Sequence, residues 1–154
     1  MAFFPDLTPH TYAPTDDLAV LNVGWLDEGE PFPVGPTTAA FRAALRVLCE
    51  HPILLHRGSH ECWPCLHERR SPWSRLWLTE PRCTVGNGQI RVRDGTGTWY
   101  AAPTLVHHYV MRHQYRPPED FIAAVLSPVV VGIDAGWQAE RKLARPNCRL
   151  KRFV

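Results

Sequence analysis

No stretch of this chain approaches the roughly 18 uninterrupted apolar residues that a membrane-spanning helix requires, so a transmembrane protein is not expected. The opening residues, Met1-Ala2-Phe3-Phe4-Pro5-Asp6, have neither the basic flank nor the apolar core of a secretory signal, and a cytoplasmic location is the expectation. Cysteine is scarce and odd in number. The five, Cys49, Cys62, Cys65, Cys83 and Cys148, do not form the dense framework of a small disulfide-bonded domain. Glycine is also too thinly clustered for a phosphate cradle: Gly86-Asn87-Gly88 suffices only to enter a turn. There is no nucleophile elbow, no internal repeat and no low-complexity tract, and the four Tyr and six Trp are spread along the chain instead of forming a base-stacking platform.

What remains is an ordinary globular composition, 45% hydrophobic and 21% charged over 154 residues, with 15 prolines pointing to many irregular segments. This length suits one domain, which we expect over residues 1–128, with residues 1–17 as an irregular arm and 129–154 as a final strand and basic tail. The net charge of +2 is unevenly placed. Residues 137–154 hold Arg141, Lys142, Arg145, Arg149, Lys151 and Arg152 against Glu140, leaving 11 basic and 14 acidic groups on the rest. A basic tail can approach phosphate, so nucleic acid is one partner class, while a solvated terminus explains the same residues.

Periodicity outlines an α+β domain with a small, largely antiparallel sheet and about three helices. Leu18–Leu26 reads as a buried strand. From Thr37 or Thr38 a hydroxyl cap leads into Phe41, Ala44, Leu45, Leu48 and Cys49, one apolar stripe of a helix near 38–50. That stripe makes Cys49 a core residue. Strands are expected around Arg75–Thr79 and Thr84–Val85, and Val129–Ile133 as a last one. The alternation Gly88-Gln89-Ile90-Arg91-Val92-Arg93, the turn Asp94-Gly95-Thr96-Gly97 and the return Thr98-Trp99-Tyr100 spell a hairpin over 88–101. Helices near 104–114 and 118–126 follow, with Val106, Tyr109 and Val110 facing inward on the first, and Phe121, Ile122 and Val125 on the second.

The chemistry concentrates in two segments. Cys62-Trp63-Pro64-Cys65 is a knuckle that can aim two sulfurs at one point, and His108-x4-His113 can supply two imidazoles, together a tetrahedral shell for Zn²⁺. On a regular helix residues five apart stand about 140° apart around the axis. Both histidines therefore reach one ion only near a helix end or where the last turn loosens. His107 is the rival to His108, His60 and His67 flank the knuckle as further candidates, and Cys83 is a more distant one. A redox pair is the competing use of Cys-x2-Cys, but it asks for a long helix after the first thiol, and Pro72 arrives too soon. Metal-free thiols in a core are the plainest alternative. Four protein ligands imply a zinc-stabilised binding or interaction protein with a protein or small-molecule partner. Three ligands and a water imply a zinc hydrolase or cyclase, in which Glu61 or His60 would serve as base and one of His107 and His108 as acid. Arg57, Arg69, Arg70 and Arg75 crowd the same loop and could meet an anion; Trp63 and Trp73 could meet a partner.

The strings FFPDLTPHTY, LNVGWLDEGEPFPVG, RGSHECWPC, GNGQIRVRDGTGTWYAAPTLVHHYV and HQYRPPEDFIAAVL resemble a family of small stand-alone bacterial proteins without an established activity. The resemblance covers residues 3–126. It implies a one-domain fold and importance for Cys62, Cys65, His108 and His113, and it carries no mechanism.

Overall fold

The computed structural model describes residues 3–11, 20–55, 62–65 and 87–127. Among the described residues four strands form one sheet: β1 (Val20–Asn22), β2 (Leu54–Leu55), β3 (Gly88–Arg93) and β4 (Trp99–Pro103), in the order β1-β4-β3-β2. Among the described residues the longer helices are α1 (Ala39–Glu50), α2 (Val106–His113) and α3 (Glu119–Leu126). The class is α+β, and the sheet is largely antiparallel: β3 pairs antiparallel with β2 and β4, and only β1 runs parallel to β4. No described helix is long and apolar enough to cross a membrane.

The β3–β4 hairpin is built by its turn. Asp94 Oδ1 accepts the amides of Thr96 (2.9 Å) and Thr98 (2.8 Å) and the Thr96 hydroxyl (2.7 Å), satisfying donors that the tight turn would otherwise leave open. The Thr96 hydroxyl, helped by those amides, holds the Asp94 carboxyl below its ordinary pKa. Register then places Ile90, Val92, Tyr100 and Ala102 together on the face covered by helices.

α1 starts where Thr38, in extended backbone, accepts the amide of Phe41 (3.2 Å). Phe41, Leu45 and Cys49 are its buried stripe, packed with α2, α3 and β3. Phe121 of α3 is fully buried and meets Phe41 and Tyr100 edge-on, at 6.4 and 6.0 Å between ring centroids. Burial drives the Cys49 thiol up to about 12, so this cysteine stays a neutral core residue at physiological pH.

Several expectations need correction. The strand expected over Leu18–Leu26 ends early: its described part is Val20–Asn22, because Gly24 turns the chain at φ +70, and Leu18 and Ala19 lie outside the described residues. The helix expected from Thr104 begins at Val106. β4 runs on through Pro103, and Thr104 N–H donates to Gly88 O (2.8 Å), prolonging the ladder by one more bond. The alternation in β3 suggests one wet face, yet Gln89 and Arg91 are buried along with Ile90 and Val92. The described part of the arm, residues 3–11, contains no strand and lies against the sheet through isolated bridges. Phe4 bridges Trp25, Pro9 bridges Leu21, and backbone bonds Leu7 N–H to Asn22 O, Asn22 N–H to Thr8 O and His10 N–H to Val20 O cover the outer edge of β1. The Asn22 amide fastens it, donating to Thr8 O, Thr8 Oγ1 and Pro9 O and accepting from His10 Nδ1 at 2.6 Å. The strands expected at 75–79, 84–85 and 129–133, and the basic tail, lie outside the described residues.

Candidate metal centre

α2 carries half of the site. Val106, Tyr109 and Val110 fix its orientation by burying one stripe, and His113 lies on the same stripe as the last helical residue. The end of α2 is wide. Gln114 adopts the left-handed conformation (φ 54) and its N–H donates to Tyr109 O, five residues back, while Tyr115 N–H donates to the same oxygen (3.1 Å). His113 is the last residue of α2, directly before this wide closure, so the pair sits at a helix end, one of the two placements that the five-residue spacing demands. The two imidazole centroids are 5.2 Å apart.

The knuckle supplies the other half. Cys62 is buried, and residues 63–65 make a helical turn that brings Cys65 Sγ beside it. Cys62 Sγ lies 3.2 Å from His113 Nε2, and Cys65 Sγ lies 3.3 Å from the Nε2 atoms of both His108 and His113. All four donor atoms fall within 4.8 Å of one another. A tetrahedron with zinc-type bond lengths of about 2.3 Å to sulfur and 2.0–2.1 Å to nitrogen has sulfur–nitrogen edges of ~3.5 Å, so the four atoms are placed to surround one metal ion. Their chemistry agrees: two thiols and two imidazoles are soft to borderline donors, the set that divalent transition metals select over magnesium or calcium.

His107 is separate from this cluster. It is half-buried near Arg46 and Glu50 of α1, where desolvation, followed by the Arg46 charge, lowers its pKa. His60, Glu61, His67 and Cys83, together with Arg57, Arg69, Arg70 and Arg75, lie outside the described residues. On the outer side of the knuckle a shallow cleft of about 290 Å³ opens between Trp63–Pro64 and the acidic turn holding Asp27, Glu28, Glu30 and Phe32.

A family model, that of the domain of unknown function DUF7919, matches residues 2–126. The chain belongs to the DUF7919 family. The match takes in the arm, every described strand and helix, and all four members of the cluster. No curated protein and no solved structure matches this DUF7919 chain.

Sequence reasoning missed Asp6. Its carboxylate accepts the Gly24 amide at 2.8 Å and the Tyr115 hydroxyl at 2.6 Å, joining the arm to the end of β1 and to the exit of α2. The partners stand 18 and 109 residues away, and no local pattern announces such a bond. Burial, then the negative Asp6, raises the Tyr115 pKa, so the phenol keeps its proton and donates it.

Proposed function

We propose that the protein is a small binding module whose fold is held by one zinc ion, with Cys62, Cys65, His108 and His113 as its ligands. The observation that carries this reading is the convergence of four donor atoms within 4.8 Å. Four protein ligands complete the tetrahedral preference of zinc and leave no position for an activated water, the usual mark of a structural site. The bound ion supplies folding energy and the side chains supply its enclosure: α2 fixes the directions of His108 and His113, and the knuckle fixes those of Cys62 and Cys65.

A module of this kind works through its surface. The cleft beside Trp63 and Pro64 lies directly on the dipeptide between the two cysteine ligands, so the metal would also set the shape of one cleft wall. A protein segment or a small molecule is the partner class that fits such a concave, partly aromatic surface. The alternative role for His107 as a catalytic acid gains no support from its place beside α1.

Cobalt substitution tests the closed site. The reduced chain should take up one Co²⁺ and give the intense visible bands of a tetrahedral thiolate centre, and added azide should leave them unchanged. Bands that shift with azide would reveal a replaceable water and turn the reading towards an enzyme.

A further inference from the structure

Asp6 stands at a junction that the fold alone does not require. One oxygen accepts Gly24 N–H, at the turn that ends β1; the other accepts the hydroxyl of Tyr115, two residues beyond His113. Tyr115 is fully buried and held from several sides. Its amide closes on Tyr109 O, its backbone bridges Val34, and its ring meets Phe32 edge-on at 6.1 Å. Between His113 and Tyr115 there is only Gln114, in its left-handed conformation. Whatever fixes Tyr115 therefore fixes the wide turn that presents His113 to the two thiols.

We infer that the Asp6–Tyr115 hydrogen bond is a positioning device for the metal centre, and that docking of the arm and occupancy of the centre are thermodynamically coupled through it. The inference rests on the metal-site reading above. The coupling works in both directions: an ion that holds His113 in place favours the Tyr115 position that Asp6 recognises, and an arm seated on Tyr115 favours the His113 position that the ion needs. The Asp6 carboxylate thereby acts at one remove from the ligands, as outer hydrogen bonds that orient metal-binding side chains do. Gly24 belongs to the same junction, because a side chain there would strike Val106, the first residue of α2, and touch the Tyr115 ring.

The experiment follows cobalt release from the full-length chain into excess chelator by absorbance. Tyr115→Phe keeps the buried ring and removes only the hydroxyl, so it remains informative even where Asp6→Ala folds poorly. Asp94→Ala serves as the control, since among the described residues Asp94 bonds within the hairpin turn and to Tyr100. Tyr115→Phe should release the metal about tenfold faster than the parent, as expected for loss of an outer-shell partner. Asp6→Ala should do at least as much, and the double variant should be no faster than Asp6→Ala alone because both act through one bond. Asp94→Ala should stay within about twofold of the parent. Parent-like release from Tyr115→Phe, an equal acceleration in Asp94→Ala, or full additivity in the double variant would each overturn the coupling. Failure of the parent itself to take up cobalt would instead overturn the metal-site reading and remove the basis of the coupling with it.

Discussion

Cys65→Ser will lose both its metal and its cooperative unfolding transition. Cys65 Sγ is the donor that stands 3.3 Å from both histidine nitrogens, and a serine hydroxyl is a poor substitute for a thiolate at a soft site. A structural zinc contributes roughly 10–16 kcal/mol of binding free energy that is present only in the folded chain. Net stability of a domain is only about 5–15 kcal/mol. Losing even half of the metal contribution is thus enough to abolish a single sharp melting transition. Circular dichroism melts should show the variant behaving as the parent does in excess chelator. Cys49→Ala provides the contrast. Its thiol is buried in the core and kept neutral, so that variant should lose packing energy while retaining the metal and the chelator response.

Gly24→Ala should destabilise the chain by about 2–4 kcal/mol. The backbone at Gly24 has φ +70, a conformation in which an L side chain meets its own carbonyl, and a Cβ there would lie 2.8 Å from Val106 Cγ2 and 3.4 Å from Tyr115 Cε1. The first distance forces a shift of Val106, and the second is an ordinary contact. Both neighbours are fully buried, one at the start of α2 and one past its end. Gly29 separates the two effects: its φ is +81 but no atom lies within 4 Å of the added carbon, so Gly29→Ala carries the backbone term alone, about 1 kcal/mol. Urea unfolding of the two variants should show midpoints lowered to clearly different extents at a constant m-value.

The elements that the sequence announced are those whose information is local. α1 reads directly from Phe41, Leu45 and Cys49 behind Thr38, and the hairpin reads from its turn, because the cap, the stripe and the turn each lie within a few residues of one another. The Cys62–Cys65 spacing and the two histidines were legible for the same reason. Their convergence was legible only as a condition, a place near a helix end or a loosened last turn, and His113, the last residue of α2, meets the first of these. β2 was unreadable because two residues, Leu54 and Leu55, contain no period; they pair with Gln89 and Gly88 more than thirty residues away. The parallel β1–β4 contact is likewise a choice of neighbour that no strand encodes by itself.

The polar face of β3 is a different kind of miss. Gln89 and Arg91 follow the alternation that normally marks solvent, but the arm, which lies along the outer edge of β1, supplies His10 as a partner for Gln89. A two-residue period tells which side chains share a face and cannot tell what covers that face. Asp6 belongs with these cases, a residue whose importance exists only once three distant segments have met.

The central claim, that one metal ion joins the knuckle to α2, is tested most directly by the metal content of the purified, unmutated chain under non-denaturing mass spectrometry. The expected spectrum has a single dominant species heavier than the bare polypeptide by one zinc ion less the protons it displaces, reverting to the bare mass in acid. A bare polypeptide mass from zinc-replete, fully reduced protein that nevertheless melts cooperatively would contradict it.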